Sequence, residues 1–231
     1  MSTPVNSLQR RVIAFSSRLT KVKNENLYYY LQQVDALDGA RVQIDGEWKV
    51  IFSSYSYLGL ITHPRINAAA NEATNEFGTG THGVRILAGT TKLHVALEKR
   101  MAEFMRTEDA IAFNSGFLAN VATISSLMGK GDAVICDELS HASLVDGCRL
   151  SRAEFIWAKH NNLEDVERIL ADAKDKYRGK LVIVDAVYSM DGDVAPVPEL
   201  IELVRKYDAW LLVDEAHSLG VLGETGHGIQ E

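Results

Sequence analysis

The feature that most restricts the fold of this chain is an alternation of short apolar runs with amphipathic helical patterns in its second half. Candidate strands are Ala110–Phe113, Ala133–Cys136, Glu154–Trp157, Leu181–Ala186 and Trp210–Val213. Candidate helices lie between them. One runs from Thr91 to Arg106, with Leu93, Leu97, Met101, Phe104 and Met105 on one face. A second runs from Leu163 to Tyr177 and a third begins near Pro198. Strands that alternate with helices require crossover connections, which give an α/β fold with a mainly parallel sheet and helices on both faces. Ligands in such sheets bind at the carboxyl ends of the strands. The residues that follow each strand are therefore the ones to inspect.

The first fifty residues read differently. Residues 5–37 carry apolar positions at mixed helical spacing and suggest a helical arm. Arg41 to Phe52 alternates around Asp45-Gly46, a strong hairpin signal. This suggests two regions, 1–52 as arm and hairpin and 53–231 as the ligand-binding domain.

Composition narrows the function. At 231 residues and 46% hydrophobic, the chain can bury a substantial core. Its net charge of −7 argues against nucleic acid as the main partner. Two cysteines, Cys136 and Cys148, give no disulfide framework and suit a reducing, cytoplasmic setting. No apolar stretch approaches the ~20 residues of a membrane span. Seven histidines form no H-E-x-x-H pair and no Cys/His cluster, so no metal is expected.

Two motifs mislead. Gly78 to Gly83 matches G-x-G-x-x-G, but it follows a helical stretch, Pro64 to Phe77, rather than a strand. It reads as a loop that needs positive φ at several points. Asp214-Glu215-Ala216-His217 matches a helicase box, but no phosphate loop accompanies it: Gly129-Lys130 and Gly179-Lys180 lack the glycine required five positions earlier.

The polar residues after the strands share a character. Asn114-Ser115-Gly116-Phe117 precedes a helical pattern, an arrangement that offers backbone N–H groups and a helix dipole to an anion. In Asp137 to Ser143, Ser140 is expected to cap the next helix and place His141 in its first turn, where an imidazole can stack on a flat ring or move protons. Ser189 follows the fourth candidate strand, and Asp214 closes the fifth. A carboxylate that ends a buried apolar strand is costly unless a cation pairs with it, and a protonated ring nitrogen would be such a cation.

Taken together, these segments resemble the fold-type I pyridoxal-phosphate (PLP) enzymes, and among them the α-oxoamine synthase family. The matching stretches are Ser56 to Leu60, Gly80 to Thr90, Asn114 to Asn120, Ser140 to Gly147, Tyr188 to Pro196 and Val213 to Gly228, in family order. The resemblance implies the large domain of a PLP-dependent transferase. In it Ser115, Gly116 and Phe117 would hold the phosphate, and His141 would stack on the pyridine ring. Asp214 would pair with the ring nitrogen, and Ser189 and His217 would bond the ring oxygen and its neighbours. Asp185, which would also bind the cofactor, stands where several members have glutamate, and Ser56 where many have asparagine; His141, Asp214 and His217 would be the catalytic residues. The implied reaction is decarboxylative condensation of an amino acid with an acyl-CoA or acyl-carrier thioester to an α-amino ketone, in a homodimer. The family's Schiff-base lysine lies downstream of the aspartate strand, whereas the last lysine here is Lys206. The resemblance therefore implies the front part of such an enzyme, without its C-terminal small domain and inactive alone. The segments after His141 and Asp214 lean toward the serine palmitoyltransferase-like branch. Alternatives are a non-catalytic partner subunit of such a synthase, or another fold-type I PLP enzyme such as an aminotransferase or lyase.

Overall fold

The computed structural model describes residues 6–231. They divide into two compact units, one ending at Asn75 and the other running from Glu76 to Glu231.

In the first unit, helix α1 (Ser7–Asn24) opens with a reciprocal capping box between Asn6 and Gln9. The helical arm expected over 5–37 is shorter than its apolar pattern suggested, and residue 5 lies outside the described residues. The helix stops because Asn26 takes a left-handed conformation (φ 55°) and Leu27 N–H donates back to the Val22 carbonyl, closing the last turn. The chain then forms a three-stranded antiparallel sheet of β1 (Ala36–Asp38), β2 (Arg41–Ile44) and β3 (Glu47–Val50). The β2–β3 hairpin turns at Asp45-Gly46 as expected. Both residues have positive φ (52° and 78°), which is the twist a two-residue hairpin needs. Helix α2 (Pro64–Phe77) follows, and its last two residues fall in the second unit.

In the second unit, a single π-helical turn (Arg85–Gly89) precedes α3 (Lys92–Met105) and α4 (Gly116–Leu127). Of Gly78, Gly80 and Gly83, only Gly78 has positive φ, so the need for glycine freedom in that loop is narrower than the motif suggested. Next come β4 (Ala133–Asp137), α5 (Ala142–Leu150), β5 (Glu154–Ala158), α6 (Leu163–Ala173), β6 (Lys180–Asp185), α7 (Val197–Lys206) and β7 (Trp210–Asp214). The four strands form a parallel sheet in the order β5-β4-β6-β7.

Side-chain alternation along the two central strands divides the core between the sheet faces. Val134, Cys136, Leu181 and Ile183 pack with Ile124 of α4, Met128 just after it, and Leu144 and Cys148 of α5. Ile135, Val182 and Val184 pack on the other face with Val166, Ile169 and Leu170 of α6 and Val197, Leu200 and Val204 of α7. This is the helix–sheet–helix layering that the alternating pattern implied. Among the described residues no helix is long and apolar enough to cross a membrane.

One expected strand does not form. Ala110–Phe113 is irregular because side chains take its ladder groups. Glu98 accepts the Ala112 N–H (2.8 Å), and Arg85 donates to the Ala112 carbonyl (3.3 Å). The same two residues form a bidentate ion pair, with the second bond at 3.0 Å. The Arg85 guanidinium, with help from the Ala112 N–H, holds Glu98 well below the usual carboxylate range. The second helix also ends before the expected Tyr177, at Ala173, where the chain turns to deliver Arg178. That side chain bonds both oxygens of the buried Asp132 (3.0 and 2.9 Å).

Gly147 lets α5 lie close against α4. A Cβ placed there would sit 2.9 Å from Ile124 Cδ1 and 3.2 Å from the Asn120 carbonyl oxygen. Over-packing of this kind typically costs about 1–3 kcal/mol. Gly147→Ala is therefore expected to lower the unfolding free energy by that amount, read as a lower chemical-denaturation midpoint, despite alanine's better helix propensity. A midpoint equal to or above that of the parent would show that the helices can separate freely.

Candidate active site at the carboxyl edge of the sheet

Three adjacent strands of the parallel sheet end in aspartate: β4 in Asp137, β6 in Asp185 and β7 in Asp214. Asp185 and Asp214 stand opposite each other in register. Alternation puts both on the face covered by α4 and α5 and puts Asp137 on the other. The two faces use their carboxylates differently.

On the α4/α5 face a chain of hydrogen bonds joins the strand ends to both helices. Asn120 of α4 donates from Nδ2 to Asp214 Oδ2 (2.7 Å) and to Ser143 Oγ (2.9 Å). Ser143 Oγ lies 2.7 Å from His141 Nδ1, and the Ser143 N–H also donates to that nitrogen (3.3 Å). The His141 N–H donates to Asp185 Oδ2 (3.0 Å), and Asp214 Oδ1 accepts the Ala216 N–H (2.9 Å). Asp185 is buried, and its pKa is raised by that burial and by the Asp214 charge, against the pull of the His141 N–H. Two carboxylates side by side with one of them pushed toward neutrality make a site that favours a cation.

His141 caps α5 itself, with extended backbone (φ −57°, ψ 146°), and Ser140 lies one residue before the cap. The expected cap was one residue earlier, at Ser140, with His141 in the first turn. The imidazole nitrogen accepts the Ser143 N–H, the bond that a serine hydroxyl would have supplied. The ring consequently stands outside the helix, exposed at the edge.

At the start of α4, Ser115 caps the helix by accepting the Leu118 N–H (3.2 Å). The N–H groups of Gly116 and Phe117 have no carbonyl one turn back, and both residues are exposed. They lie about one helical turn ahead of Asn120, a rise of roughly 6 Å. An anion at the helix start and a cation at Asp214 would thus be held by one helix. Ser189 is exposed in the turn after β6, and His217 lies in the turn after β7. Asn120 and Ser143 lay inside the matched stretches, but sequence reasoning gave neither a role.

On the opposite face Asp137 anchors a second cluster. His160 bonds Asp137 through Nδ1 (2.9 Å) and Asp193 through Nε2 (2.6 Å), with the Tyr188 ring edge-on at 4.4 Å. Asn161 donates to Asp137, Asp193 and the Val194 carbonyl. Asp193 closes the loop that carries Ser189, since the Tyr188 N–H donates to its carbonyl. Burial alone would lower the His160 pKa, but the hydrogen bonds and charges of Asp137 and Asp193 outweigh it, and the net shift is upward. The Asp193 pKa is lowered, chiefly by the bond to His160. The His160 contribution is therefore fully present below the unfolded histidine pKa of about 6.5 and lost as pH rises through the raised folded value. The Asp193 contribution is present above about 3.9 and lost as pH falls through its lowered value. The melting-temperature advantage of the parent over His160→Gln is expected to be largest between these limits and to shrink in alkali. A pH-independent advantage would show that packing against Tyr188 is the main effect.

The model of the aminotransferase class I and II family matches residues 47–230. The chain belongs to that family. It is 47% identical over 211 residues to the 8-amino-7-oxononanoate synthase of Thermoanaerobacter pseudethanolicus, a match covering 91% of this chain and 53% of the relative. To that of Geobacter sulfurreducens it is 46% identical over 218 residues, covering 94% of this chain and 56% of the relative. The chain thus spans about half the length of the curated relatives it matches. Among solved structures it superposes on the serine palmitoyltransferase of Sphingomonas wittichii with a TM-score of 0.91, at 38% identity over 98% of this chain and 57% of that one. The serine palmitoyltransferase of S. paucimobilis, solved with a PLP–myriocin aldimine, gives 0.92 at 35% identity, over 98% of this chain and 57% of that one. Both kinds of relative are α-oxoamine synthases, the group whose motif order the chain resembles.

Proposed function

We propose that this family member is the cofactor-binding part of a PLP-dependent α-oxoamine synthase, which joins an amino acid to an acyl thioester with loss of carbon dioxide. The observation that carries the reading is the placement of Asp214. Its carboxylate is tied through Asn120 to the helix whose first N–H groups are open, so one helix can serve both ends of a ring that carries a phosphate. The donor set fits PLP: open N–H groups for an anion, a carboxylate pair that favours a cation, and an exposed imidazole beside them.

When bound, PLP supplies an electron sink that stabilises negative charge at the α-carbon of an amino acid. Gly116 and Phe117 would hold the phosphate through their N–H groups, and the Ser115 hydroxyl, already accepting from Leu118, can donate to it. Asp214 would hold the proton on the ring nitrogen. His141 would cover one ring face, and Ser189 and His217 would bond the ring oxygen side. Asp185 would act through the His141 backbone, orienting the residue rather than touching the cofactor. The amino acid and acyl thioester remain the proposed substrates and a homodimer the proposed assembly.

No lysine follows Asp214 in this chain. The 231-residue chain is therefore expected to bind PLP reversibly, to release it on dialysis, and to form no amino ketone from amino acids and acyl-CoA. Equilibrium dialysis with PLP, followed by borohydride reduction and peptide mass measurement, tests this. No binding at millimolar PLP would overturn the cofactor reading. Amino-ketone formation by the chain alone would overturn the need for a lysine beyond Asp214.

A further inference from the structure

We infer that Asn120 and Ser143 are positioning residues that couple the Asp214 carboxylate to the His141 ring and fix that ring as the tautomer with its proton on Nε2. The inference rests on the PLP reading for its purpose but not for its geometry.

The donor roles follow from the chemistry of the groups. An ionised carboxylate only accepts, so Asn120 must turn its amide nitrogen toward Asp214. That nitrogen has two hydrogens. The second goes to Ser143 Oγ, 2.9 Å away. A hydroxyl has a single hydrogen to give, and with the Asn120 amide donating to its oxygen, that hydrogen is directed at His141 Nδ1, 2.7 Å away. The same nitrogen already accepts the Ser143 backbone N–H. Nδ1 is thus an acceptor twice over, and in a neutral ring the proton resides on Nε2. All the bonds run in one direction, from Asn120 outward, and the ionised Asp214 sets that direction.

The helices make the coupling rigid. Asn120 lies on α4, Ser143 and His141 on α5, and the close approach at Gly147 holds the two helices together beside the Asn120 carbonyl. Ser143 is buried, so water does not compete for its hydroxyl. The ring that would lie over the cofactor therefore presents a fixed face and a fixed Nε2–H. The carboxylate that would face the ring nitrogen keeps one oxygen bonded to Asn120 and the other to the Ala216 N–H.

Nitrogen NMR of the full chain labelled at histidine, without PLP, reads the tautomer directly. The His141 Nδ1 signal is expected in the acceptor range and Nε2 in the protonated range. Ser143→Ala and Asn120→Ala are each expected to shift both signals toward a tautomer mixture. The His160 signals, from a ring fixed by Asp137 and Asp193, report whether each variant is folded. A parent ring protonated on Nδ1 would overturn the inference without any variant, as would unshifted His141 signals in two folded variants. PLP affinity is a separate readout, expected to fall about tenfold in Asn120→Ala, the loss of one charge-assisted hydrogen bond. A shifted tautomer with no PLP binding in the parent would keep the network and remove the cofactor reading. PLP binding with an unshifted tautomer would do the reverse.

Discussion

Asp214→Asn is expected to weaken PLP binding about a hundredfold while leaving the fold intact. The substitution keeps the size of the side chain and an oxygen for the Ala216 N–H, but it removes the charge. A protonated ring nitrogen would then be desolvated against a neutral amide. Removing one partner of a fully buried pair costs about 3–5 kcal/mol, and a hundredfold loss of affinity, about 2.8 kcal/mol, falls just below that range, as suits a partly exposed site. The Asn120 amide would also lose its ionic acceptor, so the loss exceeds that of Asn120→Ala. Equilibrium dialysis and the PLP absorbance band measure the affinity, and the melting temperature checks the fold. Unchanged affinity in a folded Asp214→Asn chain would mean that the ring nitrogen does not meet Asp214. Because Asp185 is raised partly by the Asp214 charge, neutralising Asp214 should also lower the Asp185 pKa. That shift is separable from cofactor binding by carboxyl-carbon NMR.

Leu144→Ala is expected to give a larger loss of stability than the other single changes considered for this protein. Leu144 is fully buried between α5 and the sheet, beside Ile124, Cys136 and Ile183. Truncating a core leucine leaves a cavity and costs about 2–5 kcal/mol. For a unit of this size that is a fall in melting temperature of roughly 10 °C. The lost packing lies one residue after Ser143, so the site should respond as well. Cofactor affinity is expected to fall even at temperatures where the variant is fully folded. A loss well below 1 kcal/mol would show that α5 settles into the cavity.

The parallel sheet was legible in the sequence because a buried central strand must be apolar on both faces and a crossover must be helical. Those local demands mark Ala133–Cys136 and Leu181–Ala186 directly. Ala110–Phe113 meets the same local demand, yet it is no strand, because Glu98 and Arg85 occupy its backbone groups from another helix and another turn. The helical arm forms but stops short for a different reason. Its apolar pattern continues past Asn24, but the left-handed Asn26 ends the helix.

The candidate site divides in the same way. Asp214 and His141 stood out because a polar group at the end of an apolar strand, or at the start of a helix, is visible from its immediate neighbours. Asn120 was not visible as a site residue, since its partner Asp214 is 94 positions away and asparagine in a helix signals nothing alone. His160 was equally silent, as its carboxylates lie 23 and 33 residues away. The sequence by itself determined the alternation of strands and helices, the two buried central strands and the charged groups near the strand ends, because each follows from short-range periodicity and the cost of burying charge. Only the tertiary structure decided which carboxylate meets which donor and which nitrogen of His141 faces inward. Those choices depend on α4 and α5 approaching closely enough for Asn120 to reach both Asp214 and Ser143, and no local stretch of sequence encodes that approach.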